Sequence, residues 1–374
     1  MIGGDPIRVG GNRLGPLSTG GVQSIPLGAA FVYGSARPDL FAGGDRWYPG
    51  VYLYRWINDE NSVPVFSDRR KVTVPRTGNR AATGTVFQTA EGKIYGLWLD
   101  GMDIIPTTYD RRNSRFNEEG RIRIVGLSVP PESIGVFVPA GGKIDEGFNV
   151  LLGVSNGVPY RPNDHGHREA DYRPYDAAGN WRGGFPRIGL YAVSVRTPYS
   201  AEAKARLISA SDHEVHGGHH SISQVRYGAR DHGIVAGSRF GVLHIYGDPS
   251  GTPDATLRNP QAQPLIRREV VDTDGVIQRH PACRPSPVSY PSVDGTASDL
   301  IVGGECVLQY YRSAGGKTSR PVYDPPEPVL EKDGAINGGS LPVLNVVDWD
   351  GDGMPDIVAG NSEGRILFFQ NLGS

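Results

Sequence analysis

Near the C-terminal end the run Asp348-Trp349-Asp350-Gly351-Asp352-Gly353-Met354-Pro355-Asp356 sets four carboxylates at spacings of two, two and four, with glycines between them. A hard cation needs a shell of oxygen donors, and one short loop supplies it only where acidic residues alternate with residues that let the backbone turn sharply. Asp348, Asp350, Asp352 and Asp356, with the carbonyl of Met354, are the candidate ligands of one calcium ion. In an EF-hand the twelfth position would be a bidentate Glu leading into a helix. Here that position is Ala359, and the flanks Val343 to Val347 and Ile357 to Ala359 carry the residues of strands.

A second set of chemistry-bearing residues is gathered in a few stretches. Seven of the nine histidines fall in Ser155 to Pro186, Asp212 to His220 and Arg279 to Arg284. Imidazole exchanges protons near neutral pH, a guanidinium neutralises a carboxylate, and aromatic rings stack on sugar faces. That combination suits β-elimination from a uronic-acid polysaccharide, whose α-proton becomes removable once the neighbouring carboxylate is neutralised. The candidate catalytic residues are His216, His219, His220, His280 and Arg284; the candidate substrate-binding residues are Arg46, Trp47, Tyr48, Tyr160, His165, His167 and Arg168. The same residue types leave alternatives open. His216, His219 and His220 with His165 or His167 have the donors for zinc or a similar metal. Asp164, Glu169, Asp212 and Glu214 offer the carboxylates of a glycoside hydrolase. A non-catalytic sugar pocket draws on the same side chains. No Ser/His/Asp or phosphate-loop signature is present.

These residues have to be held by strands. After the Asp-rich loop and its second strand, Gly360 to Gly364 reads as a turn and Arg365 to Asn371 as another strand. Strand, Asp-rich loop, strand, Gly turn, strand: over Pro342 to Asn371 the chain resembles the FG-GAP or VCBS repeat, the blade unit of a β-propeller family. The resemblance implies that the unit recurs, because a lone blade cannot bury both of its faces. Echoes follow at Pro38 to Gly44 with Gly50 to Tyr54, at His232 to Gly237 with Gly241 to Tyr246, and at Ser298 to Gly304 with Cys306 to Tyr310. Fainter copies lie at Gly84 to Leu99 and at Phe148 to Gly153 with Ile188 to Val195, and residues 100 to 145 have room for a seventh. The expectation is an all-β chain forming a single β-propeller domain over residues 1–374, with six or seven four-stranded blades. Segments such as Val65 to Pro75 and Pro264 to Val271 take the outer-strand position, and Asp5 to Gly10 supplies the outer strand missing after the last unit. With 52 Gly and 30 Pro, helical apolar spacing shows only over Glu202 to Ile208.

Propeller geometry divides the loops between two faces. The Asp348 loop joins a first to a second strand and is expected to brace its blade, as one structural calcium site that the other repeats lack. The histidine stretches enter inner strands or join second to third strands, so the fold implied by the resemblance would gather them at the other face. Several propeller polysaccharide lyases use His, Tyr and Arg on such a face, an analogy at the level of fold. Related propellers also serve as lectins and adhesion modules. Unusual residues concentrated in a few places, not repeated in every blade, favour a single central site and hence an enzyme.

Bulk properties remove other classes. A net charge of −2 with interspersed signs offers no basic stripe, so nucleic acid is not an expected partner; a poly- or oligosaccharide is. No apolar run is long enough to span a membrane. The first twenty residues lack a basic region followed by an apolar core, so no signal peptide is visible. The family resemblance and a calcium loop suited to millimolar calcium favour a secreted or extracytoplasmic protein. Cys283 and Cys306 are expected at the starts of the first and third strands of one unit, a poor geometry for a bridge.

Overall fold

The computed structural model describes residues 2–6, 8–9, 24–44, 50–60, 63–67, 69–75, 83–89, 91–131, 133–137, 148–155, 178, 188–196, 199–208, 222–226, 232–237, 241, 243–247, 266–269, 273–274, 281, 285–292, 295, 297–314, 322–331 and 334–373. Among these residues there is no helix, and the strands form a six-bladed β-propeller. Blade one is Ser24–Ala30, Asp39–Gly44, Gly50–Tyr54 and Arg70–Val72. Blade two is Gly84–Gln88, Ile94–Asp100, Asp103–Asp110 and Ile122–Val125, extended by Glu202–Lys204 in parallel. Blade three is Ser133–Phe137, Phe148–Ser155, Ile188–Val195 and Arg206–Leu207. Blade four is Ile222–Arg226, His232–Gly237, Leu243–Gly247 and Ile266–Glu269. Blade five is Ser286–Pro291, Ser298–Gly303, Gln309–Tyr311 and Glu327–Pro328.

Blade six takes Val343–Val347, Asp356–Gly360 and Ile366–Asn371 from the end of the chain and Ile2–Pro6 from its beginning. The closing strand runs antiparallel to its neighbour, with Ile2 opposite Asn371 and Pro6 opposite Leu367. It stops short of the expected Gly10, because Pro6 has no N–H to extend a ladder and Arg8–Val9 pairs in parallel with Val65 and Phe66 instead. Residues 100–145 hold no seventh blade among the described residues: Asp103–Asp110 and Ile122–Val125 complete blade two, and Ser133–Phe137 opens blade three. Glu202 to Ile208, with its helical spacing, forms two short strands. Cys306 lies in Glu305–Val307, which pairs with Asn337–Ser340 and precedes the third strand of blade five. Cys283 lies outside the described residues.

Alternation along each second strand explains why the blades stack. In blade three Val150, Leu152 and Val154 pack toward blade two, while Leu151 packs with Ile234 and Ala236 of blade four. In blade six Ile357 and Ala359 face blade five and Val358 faces blade one. Strands buried on both faces must be apolar throughout, which is why these runs look continuous in the sequence. The glycine that ends such a run has its own role. A Cβ on Gly237 would lie 2.0 Å from the Pro285 carbonyl oxygen, and one on Gly303 2.5 Å from that of Pro342, so each glycine lets the next blade's backbone approach.

Candidate metal centre

The loop between Val343–Val347 and Asp356–Gly360 turns on two glycines in the left-handed region, Gly351 at φ +73° and Gly353 at φ +84°. Neither would bring a Cβ within 4 Å of anything, so the requirement there is backbone conformation and not space. The turn folds over its own acidic side chains. Asp348 accepts the N–H groups of Gly351 at 2.8 Å and Gly353 at 3.1 Å; Asp352 accepts that of Met354 at 2.7 Å; Asp350 accepts that of Asp352 at 3.2 Å. These bonds gather one carboxylate oxygen from each of Asp348, Asp350 and Asp352 within 4.8 Å of one another. The donor set is all oxygen and formally carries three negative charges, and among the described residues no Lys or Arg pairs with it. The Gln370 amide donates to Asp350 at 3.0 Å, and Arg37 donates to the Asp350 main-chain carbonyl while pairing with Asp59 at 3.1 Å. Such a cluster fits a hard cation such as calcium and is unsuited to metals that want nitrogen or sulfur.

Asp356 plays a different part from its three neighbours. It is buried, and its two oxygens accept the N–H of Trp349 at 2.9 Å and of Asn371 at 2.7 Å. Burial, with the nearby Asp350 and Asp352 adding to it, pushes its carboxyl up to about 6 despite those two bonds. It ties the loop to the end of the third strand. Equivalent aspartates do the same elsewhere: buried Asp39 accepts the N–H of Tyr33 at 3.1 Å and of Trp56 at 2.9 Å, and buried Asp299 accepts that of Ser313 at 2.7 Å together with the Tyr310 hydroxyl. Burial raises the carboxyl of Asp39 and, aided by Asp299, the phenol of Tyr310. The braces Asp39 and Asp299 were not singled out from the sequence. Their signal is an acidic residue immediately before a wholly apolar strand, in Asp39-Leu40-Phe41-Ala42-Gly43 and Asp299-Leu300-Ile301-Val302-Gly303.

Of the sequence-predicted site residues, the structure describes those of this loop. His216, His219, His220, His280, Arg284, Arg46, Trp47, Tyr48, Tyr160, His165, His167 and Arg168 lie outside the described residues. The strand ends that flank their segments are described. Register sets Ser24, Gly44 and Gly50 side by side in blade one, Ser133, Gly153 and Leu190 in blade three, and Ser286 with Gly303 in blade five. Those ends are opposite in each blade to the end where the Asp348 loop joins its strands.

No protein-family model and no curated protein matches the sequence. Solved structures do. A luciferin-regenerating enzyme matches with a TM-score of 0.50 at 7% identity, over 95% of this chain and 94% of its own. A calcium structure of a Carbohydrate-Active Enzymes family AA12 protein from Trichoderma reesei has a TM-score of 0.48 at 10% identity, over 95% and 94%. A lectin from Agrocybe aegerita that recognises non-reducing terminal N-acetylglucosamine has a TM-score of 0.41 at 12% identity, over 94% and 86%. At 7% identity the likeness to the luciferin-regenerating enzyme is one of fold alone.

Proposed function

We propose that this chain is an FG-GAP/VCBS-type propeller braced by one calcium ion and acting, in an extracytoplasmic setting where calcium is plentiful, as a lyase on a uronic-acid-containing glycan. The observation that carries the calcium reading is the convergence of the Asp348, Asp350 and Asp352 oxygens within 4.8 Å on a loop whose turns need glycine. Asp356 and the Met354 carbonyl would complete the oxygen shell. The ion supplies charge neutralisation and rigidity; the chain's own contribution is to hold the carboxylates by the N–H groups of Gly351, Gly353 and Met354.

The lyase reading is supported by residue type and chain position. Segments 45–49, 156–187, 209–221 and 275–284 carry the Arg, His, Tyr and Trp residues, and each is flanked by strands whose described ends share the end of the blades away from the acidic loop. In this reading a histidine of the His216 to His220 group moves the α-proton, Arg284 neutralises the substrate carboxylate, and Trp47 or Tyr160 stacks on a sugar ring. The test is incubation with acidic and neutral polysaccharides while following unsaturated uronate absorbance and reducing ends together. A lyase gives both, with activity lost in His219→Ala, His220→Ala or His280→Ala. Reducing ends alone would replace the lyase by a hydrolase, and glycan retention without turnover would replace it by a lectin.

A further inference from the structure

The face that carries the acidic loop holds a second feature of opposite sign. In blade one the connection from Ser24–Ala30 to Asp39–Gly44 contains Tyr33, and two guanidinium groups lie over its ring, Arg55 and Arg111, each 4.7 Å from the ring centre. The two charges are therefore held no more than twice that distance apart. Arg55 follows the third strand of blade one, and Arg111 follows the third strand of blade two in a turn that ends at Ser114. Neither forms an ion pair among the described residues, and both are exposed. Of the carboxylates nearby, Asp39 is buried on two backbone N–H groups and attracts Arg55 without forming an ion pair with it, and Asp110 accepts the backbone and side-chain N–H groups of Asn113.

Several details mark the place as built. Ser114 is buried and takes φ +49°, a strained conformation for a residue with a side chain. Its hydroxyl and that of the neighbouring Tyr109 are both buried and lie close to each other. Stacking on a ring leaves the in-plane N–H fork of a guanidinium free and limits its rotamers, which is the arrangement that grips a planar or tetrahedral oxyanion at low entropic cost.

We propose that the Tyr33, Arg55 and Arg111 cluster at the junction of blades one and two is an oxyanion-binding site, taking the carboxylate or sulfate of an anionic glycan or a free inorganic oxyanion. Calorimetric titration at low ionic strength with sodium sulfate, with a sulfated oligosaccharide and with an oligouronate separates the sources. Free sulfate binding as well as the sulfated oligosaccharide indicates an inorganic-ion site, and tighter oligosaccharide binding indicates a glycan. In either case Arg55→Gln and Arg111→Gln should each weaken binding about 10-fold, and Tyr33→Leu should do so while Tyr33→Phe does not. Arg312→Gln, an exposed residue elsewhere paired with Asp324, should leave binding unchanged. Absence of binding by all three probes, or binding that survives the Arg55→Gln/Arg111→Gln double variant with an unchanged melting temperature, overturns the site. His219→Ala leaves it intact, so failure here and failure of the lyase reading are separable.

Discussion

The buried aspartate at the start of a second strand is the feature whose removal should cost most per atom. In Asp39→Ala the N–H groups of Tyr33 and Trp56, held at 3.1 and 2.9 Å, lose their acceptor in a place where water does not readily replace it. A buried donor left unpaired costs about 1–3 kcal/mol, so the variant should lose about 2–6 kcal/mol. For 374 residues the entropy of cooperative unfolding is about 0.8 kcal/mol/K, which converts that loss into a fall of about 3–8 °C in melting temperature. Thermal denaturation followed by circular dichroism at pH 7 reads it directly. Asp324→Ala, whose side chain pairs with the exposed Arg312 at 3.7 Å, is the comparison and should move the midpoint by less than about 1 °C. The pH dependence gives an independent check. Burial raises the Asp39 carboxyl, so the folded state takes up a proton before the unfolded chain does, and this group's contribution to stability grows as pH falls through its folded value. Asp39→Asn lacks that term, and the gap between wild type and Asp39→Asn should widen from pH 7 towards pH 4. An Asp39→Ala midpoint no lower than that of Asp324→Ala would refute the brace.

Calcium a hundred-fold above its dissociation constant should stabilise the wild type by about 2.7 kcal/mol, a rise of about 3 °C that chelator reverses. Asp350→Asn should respond to neither, and equal responses in the two proteins would remove the site. Gly237→Ala should cost about 1–3 kcal/mol or more, because its Cβ would meet the Pro285 backbone oxygen at 2.0 Å and two blades would have to separate; chemical denaturation would show a lower midpoint with an unchanged slope. Removing residues 1–6 should lower the melting temperature and promote self-association by light scattering, since it exposes the edge of Ile366–Asn371.

The fold was legible because apolar runs buried on both faces end in glycine in blades one, four, five and six, three of them opening on an aspartate. Val358 between Ile357 and Ala359, or Leu151 beside Leu152, needs no partner information to be read as a doubly buried strand. Outer strands were legible where the chain carries a run such as Val65 to Pro75, which holds Arg70–Val72, and less so at Glu327–Pro328, which is two residues long and exposed. The acidic loop was legible as a donor set, yet the division of labour within it was not. Four aspartates look equivalent in sequence, and only burial against Trp349 and Asn371 separates Asp356 from the three that cluster. The arginines around Tyr33 escaped notice because they are far apart in the chain and meet only when blades one and two are side by side.

The position of the acidic loop in the ring explains why a cation there would matter beyond one blade. Trp349, set between Asp348 and Asp350, turns inward and packs against Phe66, with ring centres 5.4 Å apart, and against Phe368 at 5.7 Å, inside a core shared with Leu40, Tyr52 and Tyr54 of blade one. On the other side Tyr290 of blade five donates to the Pro355 carbonyl at 2.9 Å and accepts from the Asn371 side chain at 2.7 Å. Arg37 of blade one reaches the Asp350 carbonyl. The loop therefore touches both neighbours of blade six, the blade assembled from the two ends of the chain. A propeller is weakest where its ring is closed by noncovalent contacts alone. Without a counter-ion, three carboxylates repel one another at that seam, and any opening of the loop loosens Trp349 and the Arg37 bond together. Neutralising them would convert the same loop into a clasp, and the energetic effect of one bound ion would then be spread over blades five, six and one.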